Sequence, residues 1–191
     1  MLGDATVGGD LAVSGETTLD HVIIGDGGQG TRTIGVVDTF YGGPCGTGPP
    51  HADYCDDYIH LKMPTQFNED TGSGSASEMF HIHVTGYAYA VPSVIDITFV
   101  GYVTYFANGG PLVKTSIYDA TSTNCDTSAA PGGATYQGCA IYHGSDSALY
   151  LRFKPSSLYH IVFSVDSMYV GNGYVLKRND IEVVVDPAAS L

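Results

Sequence analysis

His81 and His83 stand two residues apart in the run Met79-Phe80-His81-Ile82-His83-Val84. On an extended chain both imidazoles share one face. Such a pair can ligate a metal, above all where several chains bring copies together around an axis. The simpler reading is a polar, partly solvated strand face. Asp53, Asp56 and Asp57 gather beside Tyr54 and Tyr58. Grouped carboxylates suit Ca²⁺, but the glycine and distal glutamate of a calcium loop are missing, which favours a solvated acidic loop. Asp96 and Asp166 are strand carboxylates, expected to face inward. They are the pair to consider for glycoside hydrolysis, which needs only two carboxylates close in space. The simpler role for each is a hydrogen-bonded residue on a face between chains. The chain has no Gly-x-Ser-x-Gly, His-Glu-x-x-His or phosphate-loop motif. The expectation is a protein that is not an enzyme and has no cofactor.

The four cysteines are Cys45, Cys55, Cys125 and Cys139. No two form a Cys-x-x-Cys pair, so neither a zinc ribbon nor a thioredoxin-like site is supported. Each lies in a loop rich in Gly, Pro, Thr or Asp. They form either two local bridges, Cys45–Cys55 and Cys125–Cys139, or four free thiols in a reducing compartment. Tyrosine is abundant, at 14 residues with no tryptophan. Tyr41, Tyr54, Tyr58, Tyr136, Tyr142, Tyr169 and Tyr174 fall in or beside expected loops. A phenol ring offers a flat apolar face and a hydroxyl, which suits sugars and protein surfaces. The alternative is that these rings cover the core or a seam between chains.

These side chains must be held by strands. The chain has 191 residues, 43% of them hydrophobic, and 25 glycines. Lys and Arg number 7 against 20 Asp and Glu, a formal charge of −13. That charge repels phosphate backbones, so nucleic-acid binding is not expected. Ile59, Leu61 and Met63 alternate with polar residues, as do Phe80, Ile82 and Val84. The same pattern recurs at Ile95, Ile97, Phe99 and Val103, at Val113 to Ile117, and at Leu149, Leu151 and Phe153. It recurs again at Tyr159 to Val165 and at Ile181, Val183 and Val185. No window has a sustained helical period. The most apolar stretch, Tyr87 to Phe106, holds Pro92 and Asp96 and reads as two strands around a turn, so membrane insertion is not expected. The N-terminus lacks the basic and apolar segments of an export signal. The expected fold is all-β, with an antiparallel β-sandwich, jelly-roll-like, over residues 58–191. Residues 38–57, with Gly42-Gly43-Pro44 and Gly48-Pro49-Pro50, read as a linker loop.

Residues 1–37 differ from the rest. Between Gly9 and Gly25 the apolar alternations are very short, and Gly cuts each one off. Strands of three or four residues bury too little to stand alone. Three chains wound together would place Leu11, Val13, Leu19, Val22 and Ile24 around a common axis.

The phrase Gly9-Asp10-Leu11-Ala12-Val13-Ser14-Gly15-Glu16-Thr17-Thr18-Leu19 to Gly25 resembles the shaft segments of bacteriophage tail fibres. Met79 to Tyr87, Ile95 to Tyr102 and Leu149 to Phe153 are similar to the C-terminal knobs of some phage fibres, notably marine and cyanobacterial ones. The resemblance implies a short homotrimeric fibre protein of the virion, assembled in the host cytoplasm. It implies a short intertwined N-terminal β-arm, residues 1–37, that trimerises the protein and attaches it to a tail, baseplate or capsid protein. It implies a knob that meets a host cell-surface glycan or protein. The receptor-binding candidates are Tyr41, Tyr54, Tyr136, Tyr142, Tyr169 and Tyr174, expected in loops. A head decoration protein, or a tail-associated carbohydrate-degrading enzyme, are the alternatives. The shaft here is short. The His81/His83 pair is also similar to the His-x-His repeats of fibre needles, but Phe80 stands where those have glycine.

Overall fold

Residues that alternate apolar and polar form two antiparallel sheets, and their apolar faces meet. The computed structural model describes residues 13–15, 22–25, 30–42, 57–68, 77–88, 93–106, 110–120, 125, 135–136, 138–155, 158, 160–170 and 175–191. Among these residues the strands are β1 (Val22–Ile24), β2 (Arg32–Tyr41), β3 (Tyr58–Lys62), β4 (Ser77–Ala88), β5 (Ser93–Phe106), β6 (Gly110–Asp119), β7 (Thr135–Tyr136), β8 (Cys139–His143), β9 (Leu149–Phe153), β10 (Val162–Met168) and β11 (Glu182–Asp186). A single 3-10 turn spans Thr65–Phe67, and no α-helix occurs among the described residues. None of their helical segments is long and apolar enough to cross a membrane.

The first sheet has the order β1-β2-β10-β4-β5-β6, and the second β11-β3-β9-β8-β7. The chain passes from one sheet to the other five times along the described strands, as expected of a sandwich rather than one rolled hairpin ribbon. Phe80, Ile82 and Val84 of β4, Ile95, Ile97 and Phe99 of β5, and Phe163 and Val165 of β10 line one inner face. Ile59, Leu61 and Met63, with Leu149, Leu151 and Phe153, line the other. Phe163 joins the layers. Its ring stacks on Phe40 at 4.9 Å and meets the edge of Phe153 at 5.5 Å. Gly86 lies opposite Phe163 in the β4–β10 pairing. A Cβ at Gly86 would overlap the Val162 carbonyl oxygen and the Phe163 backbone, so no larger residue fits at this strand crossing.

The body begins earlier than residue 58. β2 lies between β1 and β10, so the boundary expected at residue 37 falls inside a strand of the first sheet. Residues 38–41 belong to β2 as well, and so are not linker; residues 43–56 lie outside the described residues. Alternation fails in β2 because its pairing with β10 shifts register twice, between Phe163 and Val165 and between Val165 and Ser167. The extra residues are bulged, so consecutive Val36 and Val37 are both buried. Gly35 takes a left-handed φ of 75° at one bulge, and its N–H donates to Asp166 Oδ1 at 3.1 Å. β1 pairs with β2 within the same chain, Val22 opposite Ile34 and Ile24 opposite Arg32. In the single chain Val13 and Ile24 are exposed and Val22 is half-buried. Leu11 and Leu19 lie outside the described residues.

Cys125 and Cys139 form a disulfide with Cα atoms 5.0 Å apart. Both are fully buried, and the Cys125 N–H donates to Asp119 Oδ2 at 2.8 Å. The bridge ties the segment after β6 to the start of β8. Cys45 and Cys55 lie outside the described residues.

Candidate functional site

The outer face of the first sheet carries an ordered grid. Tyr41, Val162, Tyr87 and Val94 are lateral neighbours across β2, β10, β4 and β5. Tyr41 is 58% exposed, Tyr87 52% and Val94 57%. The next row is Ser164, Thr85 and Asp96, with the Thr85 and Ser164 hydroxyls 3.3 Å apart. The row after that is Asp166, His83, Thr98 and Tyr118, of which Tyr118 is 66% exposed. A solvated sandwich face is ordinarily polar. Here large side chains bracket a polar strip.

His81 and His83 share this outer face, as their spacing requires, and both are half-buried. Burial lowers the His81 pKa, and the neighbouring His83 and Arg32 charges push the same way. His83 Nε2 lies 2.8 Å from Asp96 Oδ1. No group of three or more His, Cys, Asp or Glu able to hold a metal occurs among the described residues. The metal arrangement expected of the His81/His83 pair needs copies from neighbouring chains. Asp96 and Asp166 were expected to face inward. Both instead point away from the core, because Ile95, Ile97, Phe163 and Val165 take the inward positions of their strands. Asp96 engages His83, while Asp166 accepts from Gly35 and lies 3.9 Å from an Arg32 nitrogen. Of the acidic cluster, Asp57 is buried; Asp53 and Asp56 lie outside the described residues.

The outer face of the second sheet is built differently. His60 and Arg152 are opposite each other on β3 and β9, and both are buried although their alternation points them away from the core. Residues 187–191 lie over them. His60 Nε2 is 3.1 Å from the Ala188 carbonyl, an Arg152 guanidinium nitrogen donates to the Ala189 carbonyl, and the Ser145 N–H donates to the Leu191 carbonyl at 2.8 Å. Aromatic rings surround the pair. Tyr142 and Tyr150 stack at 5.4 Å, and both meet His60 edge-on. The Arg152 guanidinium lies 4.7 Å and the Lys154 ammonium 5.0 Å from the centre of one ring, Tyr58. Lys62 pairs with Asp146 at 2.6 Å, and Tyr150 donates to the same carboxylate at 3.0 Å.

The ionisations follow from these contacts. Burial lowers the His60 pKa, with the Arg152 charge in the same direction, against the Ala188 carbonyl and Asp186. Burial pushes Tyr142 up to about 12. The Lys62 hydrogen bond brings Asp146 down to about 2, and Asp146 in turn raises Lys62. Burial lowers Arg152.

Among the described residues, the tyrosines singled out from sequence fall on separate elements. Tyr41 ends β2, with its hydroxyl at His160 Nδ1, 2.5 Å away. Tyr142 is in β8 against His60, and Tyr136 is in β7. Tyr169 follows β10, where its N–H donates to the Thr31 carbonyl at 2.7 Å. Tyr54 and Tyr174 lie outside the described residues. Sequence reasoning missed Tyr87, Val94 and Tyr118, and it missed the His60–Arg152 group. Alternation marks Tyr87 and Tyr118 as outward, so their exposure was legible. Nothing local marks His60 as buried. Comparison with protein-family models, with curated proteins and with solved structures finds no match.

Proposed function

We propose that the protein is a structural virion component, a short homotrimeric fibre. Its N-terminal segment attaches it to a tail, baseplate or capsid protein, and its β-sandwich recognises the host surface. The observation that carries this reading is the row Tyr41–Val162–Tyr87–Val94 on one sheet, exposed at Tyr41, Tyr87 and Val94. Rings and branched side chains of this size, left in water side by side, suit a surface that another molecule covers. The shaft-like phrase from Gly9 to Gly25 supports the assembly part of the reading. Val13 and Ile24, exposed in the single chain, are available for contact between chains.

Light scattering of the full chain at micromolar concentration should give a trimer; a monomer would end the fibre reading. Replacing Tyr41 and Tyr87 together by Ser should reduce adsorption to host cells or assembly onto particles, with the melting temperature unchanged. Normal adsorption and assembly would remove this face from the function. A second reading is favoured by the group His83, Asp96 and Asp166, which places an imidazole beside two carboxylate-bearing strands. In that reading the sandwich cleaves a glycan. Release of reducing ends from host polysaccharide, lost on Asp96→Asn, would support it.

A further inference from the structure

Lys62, Arg152 and Lys154 are three of the chain's seven Lys and Arg residues; Lys62 and Arg152 stand on one sheet face, and Lys154 meets the same Tyr58 ring as Arg152. Lys62 has a carboxylate partner. Arg152 and Lys154 have none within ion-pair distance among the described residues, in a chain with 20 acidic side chains. Arg152 is 7% exposed, and its Nε has no hydrogen-bond partner. A buried guanidinium without a counter-charge is costly, and so is an unpaired buried N–H. Lys154, just past the end of β9, adds a like charge rather than an opposite one. Both cations lie against Tyr58, which neutralises neither. Three acids among the described residues share the face, with Glu182 opposite Lys62 and Asp186 opposite Tyr58 on β11, and none of them reaches Arg152 or Lys154. Asp146 holds Lys62 and Tyr150, while Asp186 accepts the Ala188 N–H at 2.7 Å. Among the described residues no carboxylate comes within ion-pair distance of either cation.

We propose that the outer face of the second sheet, at Tyr58, Arg152 and Lys154, binds an anionic saccharide through its carboxylate. Guanidinium and ammonium groups supply charge-assisted donors to a carboxylate. The half-buried Tyr58 ring, which holds both cations beside it, supplies apolar contact to a pyranose, as bare anions do not require. Segment 187–191 forms one wall, because it already holds Arg152 through Ala189. The site gives an acidic protein a local means of meeting an acidic envelope, which its net charge opposes. Naming a saccharide rests on the host-surface reading above; the anion site itself does not.

The test is calorimetric titration of the full chain with trigalacturonate, with its methyl ester and with inorganic phosphate. Trigalacturonate should bind. Lys154→Glu should weaken it by more than about tenfold, the loss expected for one charge-assisted contact. Tyr58→Leu should weaken it too, and both variants should keep the wild-type melting temperature. Lys177→Glu, an exposed charge change elsewhere, should leave binding as it was. Failure of trigalacturonate to bind, equal binding of the methyl ester, or an equal effect of Lys177→Glu would each overturn the proposal. Full competition by phosphate at its own affinity, with Tyr58→Leu silent, would overturn the saccharide assignment. The titration contains neither host nor particle, so its failure is separable from failure of the fibre reading, which adsorption and assembly report.

Discussion

Tyr142 donates its hydroxyl hydrogen to Nδ1 of His60 across 2.7 Å. The direction is fixed by the other ring nitrogen. Nε2 faces the Ala188 carbonyl, which can only accept, and burial favours the neutral ring, so Nε2 carries the proton and Nδ1 is the acceptor. A neutral imidazole thus links β8, β3 and segment 187–191 under a cover of tyrosine rings.

Replacing His60 with Leu should destabilise the protein by about 1–3 kcal/mol, the cost of leaving buried polar partners unpaired. The Tyr142 hydroxyl and the Ala188 carbonyl lose their shared partner. Urea denaturation checks this. Hydrogen exchange should also show faster exchange at residues 187–191 than in β4 and β5.

Acid should weaken the fold through the same residue. The His60 pKa is lowered below its ordinary 6.5, so the unfolded chain takes up a proton at a higher pH than the folded one. Its contribution is present above 6.5 and is lost as pH falls from there towards the folded value. His81 is lowered as well and acts in the same direction. Denaturation midpoints should fall between about pH 8 and about pH 5, and less steeply in His60→Gln. A midpoint that rises on acidification would contradict the burial of both imidazoles.

At the β2 bulge, Gly35→Ala should cost about 1–2 kcal/mol, the strain of a side chain at a left-handed φ. Asp166→Ala should also destabilise, because it removes the acceptor of the Gly35 N–H. The double variant should cost less than the sum of the two, since both act on one bulge. Strict additivity in denaturant would separate the two residues.

Replacing Cys125 and Cys139 together by Ser should cost about 3 kcal/mol if the bridge acts by restricting the unfolded chain. The two serine hydroxyls would also be buried where the sulfurs now are. Thermal denaturation with and without reductant should reproduce the shift in the parent, and the reductant's effect should be smaller by that amount in the double variant.

Where alternation was strict, the sequence was enough. Ile59–Leu61–Met63, Phe80–Ile82–Val84, Ile95–Ile97–Phe99 and Leu149–Leu151–Phe153 are core positions because a strand's period of two leaves one face for burial. The Cys125–Cys139 bridge was one of the two local bridges set against four free thiols, and the fold makes it. β2 was not legible, because two bulges break its period and put Val36 beside Val37 in the core. The outward direction of Asp96 and Asp166 follows from the same alternation, which gives Ile95, Ile97, Phe163 and Val165 the inward positions, so the expectation that they face inward ran against the local pattern. His60 and Arg152 were decided by distance along the chain. They sit at outward positions of their strands, and they are buried only because Ala188 and Ala189, 128 residues from His60 and 37 from Arg152, return to cover them. Local periodicity encodes which side of a strand a residue occupies. Whether that side meets water depends on chain that arrives from elsewhere, and no window of sequence contains it.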